Sequence, residues 1–196
     1  MLQAEFLTML EEKLVDNSGK TAVFYADATH PQHNTHCSYG WIKKGQNKEI
    51  KTNTGRRRVN INGAVNAKEP TEIVIDESES IDANSTVRLL TNLENLGSDL
   101  EKIYLVVDNA RYYKCRIVQD YLQNSKIELL YLPPYSPNLN LIERLWRLLK
   151  KEILYNRYIE KFADFRKTIL NFFANIKDYA RQLETLMSLN FHLIGS

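Results

Sequence analysis

Cysteine is scarce in this 196-residue chain: Cys37 and Cys115 are the only two. So few thiols exclude a disulfide framework and point to a reducing compartment, the cytosol. No apolar run approaches the length needed to span a bilayer, so no membrane segment is expected. The opening MLQAEFLTMLEEKL has neither the basic head nor the unbroken apolar core of a secretory signal. Internal repeats and low-complexity tracts are absent as well. Charge of one sign is also missing, since 26 Lys and Arg against 24 Asp and Glu leave a net +2. That balance permits a polyanionic partner without requiring one, because such binding depends on local clustering.

What remains, 43% apolar and 26% charged, is the composition of a globular chain with room for one domain, or one domain and a small appendage. Basic side chains cluster twice, at Arg56, Arg57 and Arg58 in GRRR and at Arg144, Arg147, Lys150 and Lys151. Either cluster alone reads as readily as a solvated face as it does as a phosphate contact.

Periodicity sets the order of elements. Leu2, Phe6, Leu10 and Leu14 recur at helical spacing, and DNSGK at 16–20 ends that helix. TAVFYAD (21–27), HCSYGWI (36–42), RRVNINGAV (57–65) and TEIVIDE (71–77) read as strands. From Asp82 a helix carries Leu89, Leu90, Leu93 and Leu96 and closes at Gly97. KIYLVVD (102–108) is too apolar for a sheet edge and is expected at the centre, buried on both faces. A helix over 112–123, a strand IELLYL (127–132), a helix through Glu143, an amphipathic helix over 162–176 and a short helical tail complete the order. Trp41 and Trp146 are assigned to the core. Short early strands suggest antiparallel hairpins, and the later alternation suggests parallel strands with helical crossovers. The expected fold is therefore α/β, a ribonuclease-H-like mixed sheet with helices on both faces. Fold alone assigns no activity.

Three carboxylates fall at element ends. Asp27 closes the first strand, Asp108 the central strand, and Glu143 stands in the first turn of the helix after the last strand. Such rigid places let side chains converge on one point. Hard oxygen donors without partner cysteines suit Mg²⁺ or Mn²⁺ better than zinc. Two such ions about 4 Å apart activate an attacking oxygen and stabilise the leaving one at a phosphodiester. Each acid also has a local explanation: Asp27 as a turn starter, Asp108 as a helix cap, Glu143 as the third residue of a capping box led by Asn140. Two contexts favour the metal reading. VVDNAR ends an apolar strand in a carboxylate that would be costly to bury without a ligand. LPPYSPNLNLIERLW stiffens the entry to the Glu143 helix with two prolines and a Ser-Pro, so that backbone sets the position of the acid. Ile142, Leu145, Trp146, Leu149 and Ile153 form the buried stripe of that helix.

Taken together, YADATHPQHNTHCSYGWIKKG, LVVDNARYYK and LPPYSPNLNLIERLWRLLKK resemble the catalytic domain of mariner-like bacterial insertion-sequence transposases, of the DDE group that includes retroviral integrases. Positions 108 and 143 leave 34 residues between the second and third acids, as is usual in that family. The resemblance covers roughly residues 20 to 155. It implies a triad of Asp27, Asp108 and Glu143 holding two Mg²⁺ ions, with Mn²⁺ as substitute, and Asp27 bridging them. It also implies cutting of a transposon end by water, followed by attack of the freed 3′ hydroxyl on TA-containing double-stranded DNA by a homodimer. Tyr113, Asn138 and Leu141 stand where many relatives have His, Asp and Pro; none of the three is an expected ligand.

Family members usually carry paired helix-turn-helix modules before the catalytic domain. About twenty residues precede the first strand here, so the expectation is a split reading frame with an upstream helix-turn-helix protein, or a decayed fragment. The expected division is 1–18 as an amphipathic linker remnant, 19–158 as the catalytic domain and 159–196 as a helical extension. DNA contacts are expected from His30, His33, Arg56, Arg57, Arg58, Asn109, Arg111, Lys114, Arg147 and Lys150, chiefly to phosphates. A zinc set of His30, His33, His36 and Cys37 is disfavoured because all four lie in one short stretch. Two alternatives stay open: a ribonuclease-H-like nuclease that cuts without joining, and an inactive remnant that dimerises or binds DNA.

Overall fold

Side chains alternate across a strand, so a strand apolar at every position needs a cover on each face. A computed structural model, which describes residues 3–15, 18–47 and 49–188, shows how these strands get theirs. Five strands pair in the order β3–β2–β1–β4–β5. β1 (Thr21–Thr29) pairs antiparallel with β2 (Asn60–Asn66), and β2 pairs antiparallel with β3 (Ile73–Ser78). On its other side β1 runs parallel to β4 (Lys102–Val107), which runs parallel to β5 (Ile127–Tyr131). Parallel neighbours need crossovers, and α2 (Ala83–Leu96) and α3 (Arg116–Leu122) supply them.

One face of the sheet carries Val23, Tyr25, Ile61, Val65 and Val106, packed into the cluster that holds Phe6 and Leu10 of α1 (Gln3–Leu14) and the stripe of α4 (Ile142–Leu149). Phe165, Ile169 and Phe172 of α5 (Phe162–Ala174) and Leu183 of α6 (Ala180–Leu186) complete it. The other face turns Phe24, Ala26, Leu105 and Val107 toward Leu89, Leu90 and Leu93 of α2 and Val118 of α3. The mixed sheet covered on both faces is the one expected. Asp82 caps α2 by accepting from the Ser85 N–H at 2.9 Å, while the Asp82 N–H donates to Ser85 Oγ at 2.8 Å.

Several expectations are corrected. HCSYGWI is not a strand: His36 makes one isolated bridge to Tyr155, and residues 37–43 have no regular structure. Both sides of β1 are already taken by β2 and β4, so strand propensity in this segment finds no partner there. Trp41 is accordingly 104% exposed, not core, whereas Trp146 is 2% exposed. β1 runs two residues past Asp27, to Thr29. The helix read over 112–123 is a 3-10 turn (Arg111–Lys114) followed by α3, broken where Cys115 is extended. α4 passes at Leu149 into a π-helical turn, Lys150–Leu154. Leu2, Asp16 and Asn17 lie outside the described residues.

Candidate active site

The β1–β4 register places Tyr25 beside Val106. Carried two residues further, the same register sets Asp27 beside Asp108, on the sheet face that α4 covers. Asp27 is still inside β1, paired with Gly63 of β2. Its Oδ2 accepts a hydrogen bond from the indole Nε1–H of Trp146 at 3.2 Å. Gly63 leaves room for that indole, since a Cβ there would lie 2.8 Å from Trp146 Cη2.

Asp108 follows β4 directly, and its Oδ1 accepts the Ala110 N–H at 2.9 Å. The local turn-capping role and a site role are thus compatible. Asn109 donates from Nδ2 to the Leu132 carbonyl at 2.8 Å and accepts from Lys114 Nζ at 2.8 Å, tying the segments that follow β4 and β5.

Glu143 is the second residue of α4 and is exposed. The capping box led by Asn140 does not form. Leu141 occupies the cap position without a side-chain bond, because a 3-10 turn at Pro137–Leu139 leads into the helix. Asn140 instead donates from Nδ2 to the Ala26 carbonyl at 3.3 Å, pinning the helix entrance to β1 one residue before Asp27. Its buried Oδ1 has no hydrogen-bond partner. Asp27, Asp108, Glu143 and Asn140 line one cavity of about 410 Å³, walled by the loop over 132–137.

Burial, then the Glu143 charge, push the Asp27 carboxyl up to about 7, with Asp108 adding to the rise against a backbone hydrogen bond from Ala28. The sign of the linkage follows. The unfolded chain loses this proton near 3.8, the folded chain near 7, so stability is full at low pH and falls as pH rises between those values. Asp27→Asn removes the penalty. Without metal, the variant is expected to be more stable than wild type by about 1–3 kcal/mol near pH 8, the gain shrinking toward pH 4. Urea unfolding in EDTA at both pH values checks this; an equal difference at the two would mean that ionisation of Asp27 is not its source.

As the side chains stand, no three His, Cys, Asp or Glu groups among the described residues are close enough to share one ion. Glu143, being exposed, is the one acid of the three with freedom to turn inward.

The other expected contacts are dispersed. His30 Nδ1 lies 2.9 Å from Asn60 Oδ1, and His33 faces inward, donating to the Ile159 carbonyl at 2.8 Å. His36 forms its bridge, and Cys37 is exposed, so these four residues serve separate surroundings. Arg56, Arg58 and Arg111 are exposed, and the Arg57 guanidinium lies 3.9 Å above the Phe162 ring. Arg147 joins Arg144, Lys151 and Arg181 in lining a second cavity, of about 570 Å³, between α4 and α6, whereas Lys150 is not part of its wall. Among the described residues no carboxylate lines it. Arg144 donates to the Leu186 carbonyl at 2.9 Å and so fastens α6 to α4. Sequence reading missed Arg181, whose helix carried no motif. It also missed a site role for Trp146, whose apolar spacing explained it fully as core.

The DDE superfamily endonuclease family matches residues 22–166, most of the chain and all three acids. The chain belongs to that family. It is 26% identical over 176 residues to the insertion element IS630 uncharacterized 39 kDa protein of Shigella sonnei, covering 89% of this chain and 51% of that protein. It is 29% identical over 157 residues to the transposable element Tc3 transposase of Caenorhabditis elegans, covering 77% and 47%. The chain thus spans about half the length of either relative. Among solved structures, a pre-cleavage Mos1 transpososome superposes with a TM-score of 0.67 at 13% identity, over 98% of this chain and 62% of that one. The Mos1 mariner paired end complex with Mn gives 0.64 at 16%, over 95% and 58%. Identities this low establish the fold alone, and the fold agrees.

Proposed function

We propose that the 410 Å³ cavity is the active site of a transposase catalytic domain that cuts and joins DNA strands, with Asp27, Asp108 and Glu143 as its metal-holding residues. The observation that carries this reading is the crowding of three carboxylates around one cavity, with Asp27 driven toward neutrality by burial and by its neighbours. A site that makes its own anion costly is built for cations. The donor set, hard oxygens without thiolates, fits two Mg²⁺ ions, with Mn²⁺ as substitute. The Mos1 paired end complex of the same fold contains Mn. When bound, the ions would supply charge to activate an attacking oxygen and stabilise a leaving one at phosphorus. The chain does the rest. Trp146 orients Asp27, Asn140 ties the Glu143 helix to β1, and the turn at Ala110 holds Asp108.

Double-stranded DNA, as transposon ends and a TA-containing target, is the substrate in this reading. Arg147, about one helical turn along α4 from Glu143, provides phosphate contacts with Lys151 and Arg181 of the same cavity, and the exposed Arg56 and Arg58 provide others. We assign catalysis to 19–158, flanked by 1–18 and 159–196, whose described helices pack into the same core as α4. Recognition of the ends is assigned to helix-turn-helix modules, in this protein or in an upstream-frame partner, and the working unit to a homodimer. Acting on chromosomal DNA places it in the bacterial cytosol and nucleoid. Among the described residues no helix is long and apolar enough to cross a membrane.

Strand transfer tests the proposal. Pre-cleaved ends incubated with the protein, Mn²⁺ and a target plasmid are expected to yield joined products. Nicking without joining would support the nuclease reading instead, and neither activity would leave an inert remnant.

A further inference from the structure

The second cavity, between α4 and α6, has a lining that helix packing does not explain. Arg144, Arg147, Leu148 and Lys151 recur at helical spacing along α4 and its π-helical extension, so they share one face. Arg181, Gln182, Thr185 and Leu186 do the same on α6. Packed helices close on each other by fitting the side chains of one between those of the other. Here they leave about 570 Å³ between them and line it with cations. Among the described residues Arg147, Lys151 and Arg181 make no ion pair. Burial, then the Arg147 charge, hold the Arg144 guanidinium below its ordinary value. Like charges gathered without a counterion cost free energy, and an anion in the cavity removes that cost.

The rest of the lining narrows the anion. Leu148 and Leu186 give it apolar surface, and Gln182 and Thr185 add an amide and a hydroxyl. Phosphates on the outside of a duplex meet the cations alone and leave this remainder uncovered. The volume falls within the roughly 300–1,000 Å³ of small-molecule sites. Such a lining suits one small molecule that joins several negative charges to a flat ring with hydrogen-bonding edges. We infer that this cavity binds a free nucleoside triphosphate, its phosphates on Arg147, Lys151 and Arg181 and its base against Leu148 and Leu186. Gln182 and Thr185 supply hydrogen bonds to the base or ribose. The same three cations are assigned to DNA phosphates, so the bound nucleotide competes with DNA. Binding stands on the cavity alone, whereas the competition rests on the reading of these cations as DNA contacts.

Isothermal titration in EDTA, which keeps metal-chelated nucleotide out of the carboxylate cavity, tests the binding with ATP, inorganic triphosphate and adenosine. Wild type is expected to bind ATP at one site, inorganic triphosphate about 10-fold more weakly, and adenosine not measurably. Arg181→Ala is expected to weaken ATP and inorganic triphosphate alike, by about 10-fold or more. Leu186→Gln is expected to weaken ATP by about 3- to 10-fold and to leave inorganic triphosphate unchanged. Both residues are exposed, so both variants should melt as wild type does. A fluorescent duplex in the same buffer tests the competition: ATP is expected to raise its apparent Kd, and Leu186→Gln to require proportionately more ATP. Inorganic triphosphate that binds as tightly as ATP would overturn the inference, by leaving a bare phosphate site. Absence of ATP binding, or ATP binding unchanged in both variants, would overturn it as well. A duplex that saturating ATP does not displace would overturn the competition. Wild type that binds ATP but no duplex would instead overturn the DNA reading of these cations and leave the nucleotide site standing.

Discussion

Asp108→Asn is expected to lower Mn²⁺-dependent nicking of supercoiled DNA by about a thousand-fold or more, with the folded structure intact. The size follows from removing a charged ligand from a metal-assisted displacement, where a thousand-fold corresponds to about 4 kcal/mol of transition-state stabilisation. The survival of the fold follows from geometry. Oδ1 of Asp108 accepts the Ala110 N–H at 2.9 Å, and asparagine offers the same acceptor. The turn after β4 therefore persists while the negative charge is lost. Circular dichroism and thermal melting alongside the nicking assay separate the two effects. Equal nicking by both proteins would remove Asp108 from the site and the active-site reading with it.

Trp146→Ala is expected to cost about 3–5 kcal/mol of stability, the usual range for truncating a buried aromatic. The indole is 2% exposed, meets Phe173 of α5 edge-on at 6.2 Å between ring centroids, and lies over Gly63. Its removal opens a void between α4 and the sheet, under the carboxylate that it orients. Trp146→Phe separates packing from polarity. It keeps most of the apolar volume, so its stability cost should be nearer 1 kcal/mol, yet it cannot donate to Asp27 Oδ2. Activity is then expected to fall out of proportion to stability. Gly63→Ala reaches the same point from the opposite side, because its methyl group would press on Trp146 and displace it. Urea unfolding and nicking by the three variants check the set. Full activity in Trp146→Phe would mean that packing alone accounts for the tryptophan.

Much of this molecule is legible along the chain, and the particular failures share a cause. β4 read correctly because KIYLVV is apolar at nearly every position, which only a strand covered on both faces tolerates. α2 read correctly because its stripe, Asp82 and Gly97 are all local signals. HCSYGWI misled because a strand needs a pairing partner as well as propensity; both sides of the preceding strand, β1, are taken, and that is not written in the segment. Asn140 misled in a similar way: its position before LIE fits a capping box, but the Ala26 carbonyl competes for its side chain.

Local spacing and composition by themselves determined most of the helices and strands, the five of the sheet among them, and where along the chain the three acids stand. Tertiary structure alone decided how those acids behave. The Asn140–Ala26 and Trp146–Asp27 contacts join residues 114 and 119 positions apart, and Arg181 meets α4 only through helix packing. Burial and neighbouring charge, which exist only after folding, set the ionisation of Asp27. Periodicity is a property of neighbours along the chain, whereas desolvation and charge crowding belong to neighbours in space.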